Sequence, residues 1–368
     1  MKKIFFVANV QFTITHFRKE LIAQLREMGH EVFLVCPNAT GNLYVEPDKH
    51  VIDLKISRGG INPFKDFMTL KELVVLFHKE KPDIIINFTV KPIIYSSIAA
   101  GFFLKGSRVF SNITGLGYVF TDSSAKAWII RFIVKSLYRL ALLFNQKVFF
   151  QNPDDESFFV QSGIVRKDQV VALNGSGINL QKISISFIEK EKQSFIFVGR
   201  LLKDKGLNEL VEAVLKLYLL YPQVKCYIVG GRDDNPNSFT EDQIKLFSRC
   251  PALIFLGHRK DALTLLQKCE VYVLPSYREG TPRSTLEAMA TGLPIITTDA
   301  PGCRETVIDQ ENGFLVPVMN SEVLYEKMKF FLDHPESIPV MGKKSREYVE
   351  KKFNVIDVNQ KILDVLGV

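Results

Sequence analysis

The stretch VYVLPSYREGTPRSTLEAMATG, residues 271–292, contains one strand, one loop and one helix, and this order decides the fold class. The apolar run VYVL is typical of a buried strand, and the Gly and Pro that follow it mark a loop. The segment RSTLEAMATG has helical periodicity and is closed by Gly292. We expect Thr281 to be the N-cap and Pro282 the first helical residue. Such a unit is the building block of a parallel α/β sheet.

The same unit recurs along the chain, because short apolar runs alternate with helical patterns. The runs are KIFFVAN, EVFLVCP, VIDLKI, DIIINF, VFSNITG and KVFFQN in the first half and SFIFVGR, VKCYIVGG, ALIFLG, VYVLPS and PIITTD in the second. Continuous apolar strands predict parallel sheets that are covered on both faces. The length of 368 residues suits two domains. We therefore predict an α/β protein with two Rossmann-like, doubly wound domains that face a cleft.

The domain boundaries are predicted from a change in pattern between the halves. The segment NGSGINLQKISISFIEKEKQ combines turn residues with a charged, weakly periodic run, as a linker does. We predict an N-terminal domain over 1–175, a linker over 176–193 and a C-terminal domain over 194–350. A last helix over 351–368 is expected to pack back on the N-terminal domain.

The composition is that of a globular protein, with 46% hydrophobic and 24% charged residues. No apolar run reaches the ~20 residues that a membrane-spanning helix needs, so we expect no span. The five cysteines form no CxxC pair, which argues against a zinc site or a disulfide framework and for reduced thiols in a cytoplasm. We expect no metal site and no nucleic-acid partner.

The charge of the chain is unevenly divided. Residues 1–180 contain 22 Lys and Arg against 15 Asp and Glu, whereas residues 181–368 contain 25 of each. The whole net charge of +7 therefore lies in the first half. Either these lysines are scattered solubilising residues, or this half faces an anionic partner such as a phosphorylated substrate or an acidic membrane leaflet.

The loop after the first strand of the second half predicts a diphosphate site. It reads VGRLLKDKGL, without the G-x-G-x-x-G of a dinucleotide-binding dehydrogenase. Arg200 leaves the strand, and Lys205 lies just before a helix start. Two cations beside free helical N–H groups suit a diphosphate. An ordinary basic loop is the alternative interpretation.

Two carboxylates of the opening stretch have separate predicted roles. Glu279 lies in the loop before the helix, and Glu287 lies within the helix. A helical carboxylate can accept hydrogen bonds from two adjacent hydroxyls, such as those of a ribose. Nothing in the sequence indicates that the two form an acid and base pair. The adjacent Asp233 and Asp234 are interpreted as turn residues rather than as metal ligands.

These residues together resemble a known family. GRLLKDKG and the segment from LGHRKDALTLL to ENGFLVP are similar to the retaining glycosyltransferases of family 4, which have the GT-B fold. In the first half, HFRKELIAQLREMGHEVFLVCP and ITGLGYVF look like bacterial members that extend polyprenyl-diphosphate-linked glycans. The pattern is close to that of bacterial N-acetylgalactosaminyltransferases.

The resemblance implies a role for each donor-side residue. Arg200 and Lys205 would stabilise the charge of the leaving diphosphate, and Glu279 would contact the donor sugar, so these three are the predicted catalytic residues. The remaining predicted donor-binding residues are Gly199, Arg259, Gly280, Thr281, Pro282, Arg283 and Glu287. Arg259 would lie beside the uracil. Many family members have Gly at the position of Pro282, which alters the expected sugar contact there.

The resemblance also implies the mechanism and the partners. We expect a hexosyltransferase that moves a sugar, most simply an N-acetylhexosamine such as N-acetylgalactosamine, from a UDP-sugar to a polyprenyl-diphosphate-linked glycan. The reaction would retain the anomeric configuration by front-face attack, without a metal or other cofactor. The product would serve bacterial glycoprotein or surface polysaccharide synthesis. The enzyme is expected to be cytoplasmic and peripheral on the inner face of the plasma membrane.

The acceptor side is predicted from the first half. His16, expected at the start of the first helix, and Arg18 are candidates for contacts with the acceptor, as are Lys91, Gly115 and Gly117. A capping or surface histidine is an equal alternative for His16.

A helical segment of the first half, residues 126–147, carries a basic stripe. The stripe consists of Arg131, Lys135 and Arg139, spaced four apart. It would either meet an anionic leaflet or, as the favoured interpretation, be the solvated face of a core helix.

Three alternatives to the favoured function stay open: a GT-B-fold UDP-sugar 2-epimerase, a transferase of another nucleotide sugar, and a catalytically silent binding module. An epimerase would need more carboxylates and histidines in the loops of the first half. The silent module is disfavoured because Arg200, Lys205, Glu279 and Glu287 are all present.

Overall fold

The computed structural model describes residues 1–37, 50–56, 62–116, 125–183, 189–233, 235 and 237–368, with the side chains of 125–127 left out. The chain forms two compact units. Unit 1 consists of Met1–Ser176 and Asn359–Val368, and unit 2 consists of Gly177–Val358.

Unit 1 is built on a parallel sheet of seven strands in the order β3-β2-β1-β4-β5-β6-β7. Its strands are β1 Lys3–Val7, β2 Glu31–Cys36, β3 Val51–Asp53, β4 Ile84–Phe88, β5 Arg108–Ile113, β6 Lys147–Phe150 and β7 Val170–Ala172. Its helices are α1 Gln11–Thr15, α2 Lys19–Glu27, α3 Pro63–Glu80, α4 Val90–Phe103, α5 Ala125–Leu142 and α6 Pro153–Gln161. The chain leaves β1 toward one edge and returns to β4 on its other side, so β1 and β4 form the switch point of this sheet.

Unit 2 repeats the arrangement with six parallel strands in the order β10-β9-β8-β11-β12-β13. Its strands are β8 Ser194–Val198, β9 Lys225–Val229, β10 Leu253–Gly257, β11 Val271–Leu274, β12 Ile295–Thr298 and β13 Gly313–Val316. Its helices are α7 Leu207–Leu220, α8 Glu241–Phe247, α9 Ala262–Lys268, α10 Arg283–Ala290, α11 Ser321–Asp333 and α12 Ser337–Lys352. Here β8 and β11 form the switch point.

Both sheets are parallel and their central strands are buried, as the apolar runs predict. The two doubly wound sheets of the predicted fold class are confirmed. None of the described helices is both long and apolar enough to cross a bilayer.

The unit boundary differs from the predicted linker over 176–193. Unit 2 begins at Gly177, and Ile178 and Ile183 are part of its hydrophobic core. The N–H of Ile178 donates to the carbonyl of Phe353 at 2.8 Å, and the N–H of Val355 donates to the carbonyl of Ile178 at 3.0 Å. The first part of the predicted linker is therefore integrated into unit 2 by backbone pairing, which composition does not reveal.

The predicted helix over 351–368 is divided in the structure. Helix α12 ends at Lys352, and a separate helix, α13, spans Val355–Leu366. From Asn359 onward the chain belongs to unit 1. There the Nζ of Lys2 donates to the carbonyl of Gly367 at 3.0 Å.

Helix α7 offers a matched test of how its buried face stabilises unit 2. Leu210 is fully buried in the core, whereas Leu219 on the same helix is 80% exposed. Leu210→Ala should lower the free energy of unfolding by about 2–5 kcal/mol, because it removes core contacts and leaves a cavity. Leu219→Ala should change it by less than about 0.5 kcal/mol. Urea denaturation measures both, and equal losses would contradict the assigned helix orientation.

Candidate functional site

The switch point of unit 2 brings two of the predicted catalytic residues together. Lys205 ends a short 3₁₀ turn before α7, and Glu279 lies between β11 and α10. The Nζ of Lys205 forms an ion pair with Oε1 of Glu279, although the residues are 74 positions apart. Their side chains are only 18% and 14% exposed. The pair is therefore largely shielded from water, where charges interact more strongly than at the surface.

The loop that carries Lys205 is held directly against the chain after β11. Gly206 has φ of +70°, and a Cβ on it would lie 2.0 Å from the carbonyl oxygen of Pro275. The N–H of Tyr277 donates to the carbonyl of Asp204 at 2.9 Å, and the hydroxyl of Ser276 donates to the same oxygen at 3.2 Å. Only glycine fits at position 206, because both the backbone conformation and the contact exclude a side chain.

The loop that carries Glu279 is supported by the segment after β12. The N–H of Glu279 donates to the carbonyl of Pro301 at 2.9 Å. Gly302 has φ of +77°, and a Cβ on it would lie 2.3 Å from the oxygen of Glu279 and 2.4 Å from that of Gly280. Gly302 was not among the predicted site residues. A glycine after a strand in PGCRE was the available signal, but the contact it permits is visible only in the fold.

Arg200, the third predicted catalytic residue, has a different partner. Its Nη1 lies 2.7 Å from Oδ2 of Asp233, and its side chain is 53% exposed. Asp233 also accepts a hydrogen bond from the N–H of Asn235 at 3.1 Å, as expected of a turn residue. Asp234 lies outside the described residues. Within the part of the chain that the structure describes, no group of three or more His, Cys, Asp or Glu residues is arranged to hold a metal ion.

The backbone before Arg200 is also closely packed. The N–H of Gly199 donates to the carbonyl of Val229 at 2.9 Å. A Cβ on Gly230 would lie 1.7 Å from the oxygen of Gly199, so the chain after β9 touches the chain after β8. Gly230, like Gly302, was not predicted from the sequence to be part of the site.

Helix α10 begins one residue later than the sequence predicts. Arg283 is its first residue and Pro282 its N-cap, without a side-chain cap, so the expected N-cap role of Thr281 is wrong. Proline, which lacks an N–H and has ψ of 113° here, ends the extended loop instead. Gly280 and Pro282 are buried, and Thr281 is partly exposed. Their predicted contacts with the donor stay predictions.

Arg283 connects two parts of unit 2. Its Nε lies 3.3 Å from Oε1 of Glu287 one turn along the helix, and its Nη1 donates to the carbonyl of Gly177 at 2.9 Å. Burial raises the pKa of Glu287, while the Arg283 charge opposes this rise. The guanidinium therefore positions the carboxylate that was predicted to bind a ribose.

Arg259, predicted to lie beside a base, follows β10 on the surface. Its Nε and Nη2 lie 2.8 and 2.7 Å from the two oxygens of Asp261. This two-pronged pair holds the guanidinium plane in one orientation. Base contact by Arg259 stays a prediction.

The predicted acceptor residues of unit 1 are only partly as expected. His16 is the C-cap of α1 and not the start of a helix, and its ring stacks on Phe12 at 4.5 Å. Its expected placement was wrong because the helical pattern is interrupted before Lys19, where α2 begins. Gly115 follows β5 with φ of +131°. Gly117 lies outside the described residues.

Two other predicted residues lie beside the end of β4. Arg18 is buried, with its guanidinium 5.4 Å from the centre of the Phe88 ring. Lys91, in the first turn of α4, lies 2.7 Å from Oδ1 of Asp66 on α3. Both cations therefore lie near the switch point of unit 1.

Asn9 and Thr89, neither of which was predicted, join the two strands of this switch point. The hydroxyl of Thr89 donates to Oδ1 of Asn9 at 2.8 Å. Thr89 has φ of +67° and ψ of 160°, a conformation that costs a non-glycine residue about 1–3 kcal/mol. Strain of this kind concentrates at functional sites. Nothing in the sequence indicated this strain, because glycine is the residue expected at positive φ and threonine is not a typical ligand-binding residue.

Comparisons with known proteins match each unit to a glycosyltransferase family. The family described as "Glycosyl transferases group 1" matches residues 180–348, and the one described as "Glycosyl transferase 4-like" matches residues 3–152. The chain is a glycosyltransferase. The resemblance to family 4 is thereby confirmed.

Two named relatives agree with this assignment. The enzyme is 29% identical over 351 residues to the N,N'-diacetylbacillosaminyl-diphospho-undecaprenol alpha-1,3-N-acetylgalactosaminyltransferase of Campylobacter jejuni, with 90% of this chain and 89% of that protein covered. It is 28% identical over 330 residues to the UDP-Gal:alpha-D-GlcNAc-diphosphoundecaprenol alpha-1,3-galactosyltransferase of Escherichia coli, with 83% and 80% covered. The predicted hexosyltransferase activity is confirmed.

A solved structure supports the fold class. Sucrose-phosphate synthase from Thermosynechococcus elongatus superimposes with a TM-score of 0.83 at 20% identity, covering 100% of this chain and 98% of that one. The GT-B class predicted for the glycosyltransferase is confirmed.

The contact of Gly302 with the Glu279 loop gives a matched test. Gly302→Ala and Gly29→Ala both place a side chain at positive φ, 77° and 83°, which costs about 1–2 kcal/mol in either case. Only position 302 has backbone within contact, so only Gly302→Ala should displace Glu279. Transferase activity should fall about 10²-fold for Gly302→Ala, as expected for a misplaced site, and little for Gly29→Ala. Equal activities would contradict the supporting role of Gly302.

The raised pKa of Glu287, together with its predicted contact with a ribose, predicts a pH dependence of UDP binding. A protonated carboxyl group accepts fewer hydrogen bonds from hydroxyls, so the affinity for UDP should fall as the pH is lowered. Because the pKa of Glu287 is raised, this fall should begin at a higher pH than it would for an exposed glutamate. Glu287→Gln should weaken binding at least about tenfold at high pH and lack this part of the pH dependence. Calorimetry across pH measures both. The exposed Glu326→Gln should match the unsubstituted enzyme, and an unchanged pH profile in Glu287→Gln would refute the assignment.

Proposed function

We propose that the enzyme transfers an N-acetylhexosamine, such as N-acetylgalactosamine, from a UDP-sugar to a polyprenyl-diphosphate-linked glycan. The shielded pair of Lys205 and Glu279 at the switch point of unit 2 carries the proposal. The name of the Campylobacter jejuni relative supports the sugar and the acceptor, and the name of the Escherichia coli relative supports a UDP-sugar donor. The product enters bacterial glycoprotein or surface polysaccharide synthesis.

In this proposal the diphosphate of the donor binds beside Lys205 and Arg200. As the sugar–phosphate bond breaks, negative charge grows on the leaving diphosphate, and these cations stabilise it. Both are already oriented by carboxylates, Glu279 and Asp233, so little reorganisation is needed when phosphate oxygens compete for them. Glu279 then accepts hydrogen bonds from sugar hydroxyls, and Glu287 holds the ribose.

The acceptor hydroxyl attacks the front face of the sugar while the diphosphate departs and takes the proton. The anomeric configuration is thereby retained. Unit 1 binds the acceptor, with Arg18 and Lys91, both beside the end of β4, as the cations for its phosphates. No metal is required, because Arg200 and Lys205 supply positive charge at the leaving group. The enzyme works in the cytoplasm, at the inner face of the plasma membrane.

A donor screen tests the proposal. UDP-N-acetylgalactosamine, UDP-N-acetylglucosamine, UDP-galactose, UDP-glucose and a GDP-sugar are each incubated with a polyprenyl-diphosphate sugar, and products are identified by mass and by the anomeric coupling constant. We expect transfer of an N-acetylhexosamine from UDP with an α linkage, unchanged by EDTA. Interconversion of hexosamines would favour the 2-epimerase, an activity that the names of the relatives do not support. Transfer only from the GDP-sugar would overturn the donor assignment.

Lys205 has a matched control in its own turn. Lys205→Met should lower kcat by about 10²–10³, because it removes the charge beside the leaving group. Lys203→Met, at an exposed position of the same 3₁₀ turn, should leave kcat nearly unchanged. Steady-state kinetics measure both variants. Equal values for the two would remove Lys205 from the proposed mechanism.

A further inference from the structure

Helix α5 is apolar on its solvent side as well as on its core side. Its buried side chains include Tyr138 and Leu142, which pack in the core of unit 1. On the opposite side the exposed apolar residues of α5 and of the residue after it are Trp128, Ile129, Phe132, Ile133, Leu140 and Leu143, here called the apolar face. Trp128 is 67% exposed and Phe132 63%. A contiguous exposed patch of this kind marks an interaction surface.

Neighbouring helices extend the patch. Helix α3 packs on α4, and α4 packs on α5, so the three form one layer over the sheet. Phe64 and Phe67 are exposed in the first turns of α3. At the other end of the layer Phe102, also exposed, contacts Phe144 with ring centres 4.9 Å apart. Exposed aromatic side chains therefore lie at both ends of the layer.

Two of the basic side chains of α5 lean toward α6 and the residues after it. Arg131, Lys135 and Arg139 were predicted to form a stripe that would meet a leaflet. In the structure the Nζ of Lys135 lies 4.7 Å from the centre of the Phe158 ring on α6, and Arg139 donates to the carbonyls of Ser162 and Gly163. These cations therefore flank the apolar face along α6.

The charge around the apolar face identifies its partner. Helix α5 contains no Asp or Glu, and the one carboxylate in the first two turns of α3, Asp66, is buried against Lys91. Lys65 beside Phe64 is exposed. A second copy of the chain would bring like charges together around a two-fold axis, which is unfavourable. An anionic lipid surface satisfies both the cations and the apolar side chains.

We infer that the apolar face of α5 inserts into the headgroup and acyl boundary of an anionic bilayer, with the flanking cations at the phosphates. Trp128 suits this position, because the indole ring is apolar and its N–H can reach the headgroups. The inference deepens the proposed function, since a lipid-linked acceptor lies in such a surface. Attachment is therefore chiefly by apolar insertion, with attraction of charge as a second contribution.

Trp128 is the only tryptophan of the chain, which makes its fluorescence a direct probe. Vesicles of equal parts phosphatidylcholine and phosphatidylglycerol should shift its emission to the blue, and brominated acyl chains should quench it. Vesicles of phosphatidylcholine alone should bind more weakly. High salt should weaken binding to the anionic vesicles without abolishing it, whereas attachment by charge alone would be lost.

Substitutions on the apolar face test insertion directly. The double variant Ile129→Ser and Phe132→Ser should bind anionic vesicles at least about tenfold more weakly, because two inserting side chains are removed. Leu219→Ser, at an 80% exposed position of unit 2, should bind as the unsubstituted enzyme does. All three proteins should share one melting temperature, since the substituted side chains face solvent.

Three results would overturn the inference: no blue shift with anionic vesicles, unchanged vesicle binding by the double variant, or a dimer by light scattering in which Trp128 is already shielded.

Transfer to a water-soluble short-chain acceptor separates this inference from the proposed function. Retained transfer with lost vesicle binding in the double variant supports the apolar face. Vesicle binding without transfer from any donor would refute the proposed function and leave the apolar face standing.

Discussion

The ion pair between Lys205 and Glu279 depends on backbone contacts that only glycine allows. Gly206 touches Pro275, and Gly302 touches the carbonyls of Glu279 and Gly280. These contacts hold the loops after β8, β11 and β12 against one another, so that a cation and a carboxylate from distant parts of the chain meet in a shielded place. Removing one partner of a pair in such surroundings would leave the other charge without compensation. The rigidity of the pair is what a site for leaving-group charge requires.

Unit 1 uses different means at the equivalent place. There a strained Thr89 and its hydrogen bond to Asn9 join β1 and β4, while buried Arg18 and Lys91 supply positive charge. In unit 2 the corresponding loops are fixed by Gly206 and Gly302, and they carry Lys205 paired with Glu279. The same parallel topology therefore presents two chemically different sites, which suits an enzyme that binds two unlike substrates.

The apolar face of α5 adds a third constraint on the enzyme. Helix α5 packs its inner side into the core and leaves aromatic rings on its outer side. Apolar surface that stays in water gains none of the stabilisation that burial would give. Because the surrounding charge is basic, an anionic lipid surface provides this burial. The excess charge of residues 1–180 is then part of the same arrangement as the exposed Trp128 and Phe132.

The sequence by itself determined the two parallel sheets, and it placed Lys205 and Glu279 in loops after strands and Glu287 within a helix. Periodicity and strand–loop–helix order are local properties, so they can be read from neighbouring residues. Only the tertiary structure decided that Lys205 pairs with Glu279 while Arg200 pairs with Asp233. It also revealed that Gly302 and Thr89 support their sites, and that α5 exposes aromatic rings to solvent while Lys135 and Arg139 contact α6 and the residues after it. Each of these depends on contacts between distant segments, and composition and spacing do not encode such contacts.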